Sequence, residues 1–296
     1  MNIRKAVIPV AGKGTRFLPA TKQTPKEMLP IINIPMVHYS VMEAVESGIE
    51  QLIFVTSSGK GSIENYFDRN LELENFLEQN GKIKELELIQ NVSSMIEIIT
   101  VRQKEQLGLG HAINCASPII GNETFSVILG DDIVRGERPA TKQLIEVSKK
   151  NNGKSVIGVM EVPNAETYRY GIVDGEFIDD KRLTLLMKAM IEKPKPSEAP
   201  TNLATPGRYI LSGNIFECLN EIPRGVGGEY QLTDAINMLA SRDEVYAHKF
   251  DGDRFDTGNI EGFLNATVEF ALRDESTKEL MLNIIREKIK TYGIKR

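Results

Sequence analysis

The residues best suited to chemistry stand just behind short apolar runs. Gly12 and Gly14 follow Ala6–Val10, and Arg16 and Lys26 follow the glycines within AGKGTRFLPATKQTPKEMLP. Glycines after a strand let the backbone turn tightly and aim its N–H groups at an anion, and two nearby cations add charge, so the segment reads as a phosphate loop. It is neither G-x-G-x-x-G nor G-x-x-x-x-G-K-[ST], so the glycines alone fit an ordinary strand-to-loop turn equally well. Asp131 and Asp132 end a second apolar run, Phe125–Leu129. Open α/β sheets bind ligands at the carboxyl ends of their strands, and carboxylates there suit Mg2+, which also takes phosphate oxygens and water. Aspartate after a strand is also a common turn residue. Glu192–Lys193 ends a third apolar stretch. A carboxylate accepts from hydroxyls and an ammonium follows a phosphate as a point charge, although an exposed Glu-Lys pair is commonly a solvated face. Gln103, in the glycine-containing loop after IEIITV, carries an amide that both donates and accepts; a solvated loop side chain is its ordinary alternative.

The elements that position these residues follow from periodicity. Apolar runs at Lys5–Val10, Gln51–Thr56, Glu97–Val101, Phe125–Leu129 and Ser155–Val162 alternate with amphipathic stretches, which predicts an α/β fold with a mostly parallel sheet. Pro35 opens a predicted helix marked by Val37, Val41 and Val45 and ending near Gly48; Ser62 caps a second that runs to Asn80 and stops at Gly81. After Val162 the rhythm changes, and VDGEF, with Asp174–Gly175 as a turn pair, predicts antiparallel strands. Residues 194–207 read as a surface loop. From Ile260 to Ile294 the pattern is helical, with Phe263, Ala266, Thr267, Phe270 and Ala271 forming a less polar face for packing or self-association.

Composition narrows the class further. The 296 residues, 41% hydrophobic and 26% charged, suffice for one large or two closely joined domains. A net charge of −5 argues against a nucleic-acid or anionic-membrane partner, so any phosphate site is locally basic. Cys115 and Cys218 lack C-x-x-C spacing and read as free thiols, which fits a reducing cytoplasm. The apolar run after Met1 is too short for a signal segment, and a soluble cytoplasmic protein is expected. His38, His111 and His248 have no metal-ligand spacing and no catalytic assignment. Their scarcity is compatible with phosphoryl chemistry, because a phosphate monoester with a second pKa near ~6 is already mostly dianionic at neutral pH and needs no general base.

G-x-G-T-R followed by PKEMLPI resembles the N-terminal motif of the nucleoside-diphosphate-sugar pyrophosphorylases. The longer spacer ATKQTPKEMLP favours their uridylyl-transferring branch, because thymidylyl-transferring relatives read closer to GGxGTRLxPLT with a shorter continuation. The resemblance recurs at RQKEQLGLGHA (Arg102–Ala112), LGDD (Leu129–Asp132), YGIVD (Tyr170–Asp174), EKP (Glu192–Pro194), GRYIL (Gly207–Leu211), GEYQLTDAI (Gly228–Ile236) and FDTG (Phe255–Gly258). It implies a Rossmann-like nucleotidyltransferase with a mixed, mainly parallel central sheet, an antiparallel sugar-side insertion and C-terminal helices. The nucleotide side is expected over about 1–150 and the sugar side over 151–259, with 260–296 a helical segment and candidate homo-oligomer contact.

The implied reaction joins UTP and glucose 1-phosphate to give UDP-glucose and pyrophosphate, with Mg2+ as cofactor. By the same resemblance Arg16 and Lys26 hold the triphosphate, Ala11, Gly12 and Gly14 offer backbone contacts, and Gln103 and Gly108 recognise uracil. Asp131 is the expected metal ligand and Asp256 a second; Lys193 takes the sugar phosphate, and Gly171, Glu192, Asn214 and Glu229 the sugar. Asn214 reads equally well as a helix cap. Many relatives carry Pro and an apolar residue around the aspartate where this chain has Gly130 and Asp132, which leaves the role of Asp132 open. Another sugar phosphate or nucleotide is the same-class alternative. A dehydrogenase is disfavoured by Lys13–Arg16 and PKEMLP, and a non-catalytic sensor by retention of Arg16, Lys26, Asp131 and Lys193.

Overall fold

The structure, a computed structural model, describes residues 2–293, so the last residues of the expected C-terminal helical segment lie outside it. β1 (Lys5–Pro9) leads through the glycine loop to a small hairpin, β2 (Pro30–Ile31) and β3 (Ile34–Pro35), and then α1 (Met36–Glu46). The helix starts directly after Pro35 and stops before Gly48, whose φ of +85° ends it. β4 (Gln51–Thr56), α2 (Gly61–Phe67), α3 (Leu71–Gln79), α4 (Ile83–Ser94) and β5 (Glu97–Arg102) follow, then α5 (Leu109–Asn114), α6 (Ser117–Ile120), β6 (Phe125–Ile128), β7 (Asp132–Arg135) and α7 (Ala140–Lys150). The second half comprises β8 (Ser155–Glu161), β9 (Gly171–Phe177), β10 (Thr184–Glu192), β11 (Leu203–Thr205), β12 (Arg208–Leu211), α8 (Ile215–Glu221), α9 (Leu232–Arg242), β13 (Val245–Lys249), β14 (Asp253–Asp256), α10 (Ile260–Arg273) and α11 (Lys278–Tyr292).

One ten-stranded sheet organises the molecule. β5, β4, β1 and β6 are parallel neighbours, and both faces of β1 are buried: Val7 enters one core cluster, Ala6 and Ile8 the other. β12 then runs antiparallel between β6 and β8, β13 is parallel to β8, and β10 is antiparallel to β13 and β9. β11 pairs with both β9 and β8, which closes β8, β13, β10, β9 and β11 into a ring. The sheet is mixed, as expected, but parallel pairing does not dominate it. Parallel neighbours need crossover helices, and beyond α7 most connections are too short to carry one.

Several local expectations are corrected. The helix expected over 62–80 is two, because the Asn70 side chain accepts from the Leu73 N–H at 3.0 Å and starts a new helix; Ser62 lies inside α2. Asp174–Gly175 is strand, not turn. A Cβ on Gly175 would stand 2.3 Å from the Leu186 carbonyl beside a bulge in β10, so this glycine serves close approach of two strands. The reversal comes later, where the Asp179 carboxylate accepts from the Leu183 and Thr184 N–H groups at 3.2 and 2.5 Å. The 194–207 loop ends in buried β11. Ala266, Phe270 and Ala271 are buried, Ala266 and Phe270 against Ile31, Tyr39, Ile133 and Phe255, so that face of α10 packs on its own chain rather than waiting for a second copy.

Candidate active site

The glycine loop rests on the segment that carries Lys26. Gly14 takes φ +66°, its carbonyl accepts from Thr21 Oγ1 at 2.7 Å, and an added Cβ would meet Lys26 Cβ at 3.2 Å. Around Gly12 the Cβ position is open. Lys26 Nζ donates to Asp131 Oδ2, while the next residue, buried Glu27, accepts from Lys60 Nζ at 2.7 Å and anchors the turn. Burial pulls the Lys26 ammonium down, but Asp131 and Glu27 outweigh it and leave it raised; burial lifts the Asp131 carboxyl, and Lys26 more than offsets that, holding it below the usual range. Both groups are charged at neutral pH.

Asp131 and Asp256 converge on Gly258. β7 and β14 pair with Asp132 opposite Asp256, and a Cβ on Gly258 would stand 2.5 Å from Asp131 Oδ2 and 3.3 Å from Asp256 Oδ1. Thr257 Oγ1 donates to the Asp131 carbonyl at 2.8 Å and the Gly258 N–H to Asp256 Oδ1 at 3.2 Å. Arg16 Nη1 reaches the Gly258 carbonyl at 3.5 Å. Among the described residues no cluster of three or more His, Cys, Asp or Glu could hold a metal. Two converging carboxylates offer the oxygen ligands that Mg2+ prefers, and Mg2+ commonly completes its shell with water and substrate phosphate.

Asp132, one residue on, does not face solvent. Arg254 Nε donates to its two oxygens at 3.0 and 2.9 Å, and Arg254 Nη1 to the Tyr170 hydroxyl at 2.7 Å. Burial pushes the Asp132 carboxyl up, to about 6, against the pull of Arg254, so it remains ionised at neutral pH. Behind it lies fully buried Arg208, which donates to Glu43 Oε2 at 2.8 Å and to the Asp132 carbonyl; Glu43 also accepts from Thr141 N and Oγ1 at 3.0 and 2.6 Å. The turn from Leu129 to Asp132 is therefore pinned by buried ion pairs.

Across the cleft, Gly171, Glu192 and Thr205 form one cross-strand row. Glu192 Oε2 accepts from Thr233 Oγ1 at 2.6 Å, and its Oε1 lies 3.3 Å from Lys193 Nζ. Lys193 has φ +46°, which a non-glycine residue rarely adopts, and is held there by its N–H to the Tyr170 carbonyl at 2.9 Å. Arg16, Asp131, Gly171, Glu192, Lys193, Glu229 and Asp256 all line one cleft of about 770 Å3.

Gln103 lines a second hollow of about 760 Å3 with Lys13, Ser57, Arg102 and Gln106. The Ala11 carbonyl accepts from Ser57 Oγ at 3.0 Å and Gln106 Nε2 at 2.6 Å. Gly108 takes φ +97°, and a Cβ on it would stand 2.7 Å from Glu229 Cβ and 3.0 Å from the Tyr230 carbonyl, so only glycine fits where the loop after β5 passes these two residues.

Residues 5–272 match the family model described as nucleotidyl transferase. The chain belongs to that family. A UTP–glucose-1-phosphate uridylyltransferase of Staphylococcus haemolyticus is 51% identical over 286 residues, spanning 97% of this chain and 98% of that protein. Among solved structures, a UTP-bound UGPase from Acinetobacter baumannii superposes with a TM-score of 0.90 at 42% identity, covering 97% of this chain and 99% of that one. A UDP-glucose pyrophosphorylase complexed with UDP-glucose gives 0.84 at 40% identity, covering 92% and 100%.

Within this family fold one sequence expectation fails. β12 runs antiparallel to β6, with Leu211 opposite Phe125, so the chain leaves the sheet at the end away from Asp131 and carries Asn214 to a separate hollow with Glu217, Cys218 and Arg242. Asn214 starts α8 without a side-chain capping bond. Sequence reasoning also missed Arg169, Tyr170, Arg208 and Arg254. Arg169 Nη2 lies 3.1 Å from Asp256 Oδ2. The spacing of Arg254 and Asp256, two apart on a strand and so on one face, was the signal available for Arg254.

Proposed function

We propose that the chain transfers uridylyl from UTP to glucose 1-phosphate, forming UDP-glucose and pyrophosphate. The observation that carries this reading is the single cleft joining the Asp131–Asp256 carboxylates and Arg16 to the Glu192–Lys193 corner. Such a cleft suits a reaction between two phosphorylated substrates. A phosphate oxygen of glucose 1-phosphate attacks the α-phosphorus of UTP in line; the new O–P bond forms as the bond to the β-phosphate oxygen breaks, and pyrophosphate leaves. Arg16 and Lys26 hold the triphosphate, and Lys26 leaves Asp131 to do so. Lys193 aims the attacking phosphate, and Glu192 accepts hydrogen bonds from sugar hydroxyls over Gly171. Asp131 and Asp256 would hold Mg2+, which when bound offsets the negative charge of the phosphates.

The names of the most similar relatives support the choice of uridylyl and glucose. The reading carries with it cytoplasmic work, consistent with free Cys115 and Cys218, and no helix among the described residues is long and apolar enough to cross a membrane. A homo-oligomer would have to use surfaces other than the buried Ala266–Phe270 face. Phosphorus NMR of the chain with UTP, glucose 1-phosphate and Mg2+ tests the reaction: UDP-glucose and pyrophosphate appear in equal amounts. Release of orthophosphate, or no turnover, contradicts it.

A further inference from the structure

We infer that His111 locks the Gln103 side-chain amide in one orientation and so makes the base pocket select uracil over cytosine. This rests on the uridylyl-transfer reading above. Gln103 Nε2 lies 3.1 Å from the Gly108 carbonyl and 3.0 Å from His111 Nδ1. A backbone carbonyl only accepts, so the amide atom facing it is the nitrogen. The second N–H of that nitrogen then goes to Nδ1, which must be the unprotonated nitrogen of the ring. With both donors committed inside the protein, Oε1 is the amide atom left to meet a ligand.

The surroundings keep this arrangement in place. Gln103 is buried, its main-chain N–H donates to the Thr56 carbonyl at 2.8 Å, and it lines the hollow at the carboxyl ends of β4 and β5. The His111 ring stacks on Tyr230 with centroids 6.3 Å apart and planes 29° apart. The start of α5 is tied to the same residue by the Gly110 N–H, which donates to the Tyr230 carbonyl at 2.9 Å. Turning the imidazole away would break this packing and strand a buried amide N–H.

An acceptor at this position matches the imide N3–H of uracil. Cytosine carries a lone pair at N3, and two acceptors facing each other, one of them on a buried side chain, is a penalty rather than a lost contact. In this scheme His111 touches Gln103 and Tyr230 and never the base, so it is a positioning residue.

Two substitutions separate this role from simple packing. His111→Phe keeps a ring on Tyr230 and removes Nδ1; His111→Asn restores an acceptor oxygen near the place of Nδ1. The readout is the ratio of kcat/KM for UTP to that for CTP with glucose 1-phosphate, backed by calorimetric binding of each nucleotide without sugar. The ratio falls about tenfold in His111→Phe, the size of one lost neutral hydrogen bond, and stays within about threefold of the unmodified chain in His111→Asn. An unchanged ratio in a folded His111→Phe chain overturns the inference, as does an equal fall in both variants. Should His111→Phe not fold by circular dichroism, His111→Leu replaces it under the same criteria. A natural chain that turns over neither pyrimidine triphosphate contradicts the transfer reading itself, whereas a chain selective for UTP with a ratio indifferent to His111 contradicts only this role.

Discussion

The acidic turn at Leu129–Asp132 and the Glu192–Lys193 corner deliver charge to the same cleft by opposite means. At the turn, Asp131 is paired with Lys26 and Asp132 with Arg254, and Arg208, itself fully buried on Glu43, grips the Asp132 carbonyl. At the corner, Lys193 is 61% exposed, its ion-pair partner is its own neighbour, and it is placed by an uncommon backbone angle. The difference teaches which side is fixed before substrate arrives. In the proposed reaction Arg208 and Arg254 hold the turn fixed while Lys26 alone changes partner, from Asp131 to the triphosphate, whereas a free ammonium at the corner suits a phosphate that moves from substrate to product.

If that contrast is right, the largest effect comes from unpinning the turn. Arg208→Met leaves Glu43 buried without its cation and should cost about 3–5 kcal/mol of stability, read from the urea midpoint at unchanged slope. An unaltered midpoint would mean that the turn does not depend on this pair. Next, Asp131→Asn, which removes charge with little change of volume, should lower turnover about 100-fold and raise the Mg2+ concentration needed for half-maximal rate. Near-normal turnover at limiting Mg2+ would remove Asp131 from the ligand set. The smallest of the three is Lys193→Ala: kcat/KM for glucose 1-phosphate drops about tenfold or somewhat more, the worth of one charge-assisted hydrogen bond, while calorimetric UTP binding without sugar is unchanged. Equal weakening of UTP binding would move Lys193 to the nucleotide side and erase the contrast.

How legible each region was in the sequence follows from how local its signals are. The strands before Gly12, Gln103 and Asp131 are apolar runs that read directly, and Arg16, Asp131, Glu192 and Lys193 do share a cleft. Asn214 was misread because its place depends on β12 running antiparallel to β6, a non-local pairing with no trace in the residues around it. Arg208, at the head of the apolar run Tyr209–Leu211, was passed over because a charged residue there is explained only by its partner, and Glu43 lies far away in the chain; Arg254 likewise takes its meaning from distant Asp132. Asp174–Gly175 looked like a turn because the dipeptide favours one; the clash a side chain would make with Leu186 is set by the neighbouring strand. The face at Phe263–Ala271 was legible as apolar but not as to what covers it, since periodicity gives a direction and not a partner.

The central claim is uridylyl transfer in a cleft divided between nucleotide and sugar phosphate. Pyrophosphate release, measured for each nucleoside triphosphate against a panel of sugar 1-phosphates with and without Mg2+, tests it most directly. The account predicts rapid release for UTP with glucose 1-phosphate, dependent on Mg2+ and on both substrates, and much slower release for the other pairs. Release from UTP without a sugar phosphate, or an equal or greater rate with another nucleotide or sugar, would contradict it.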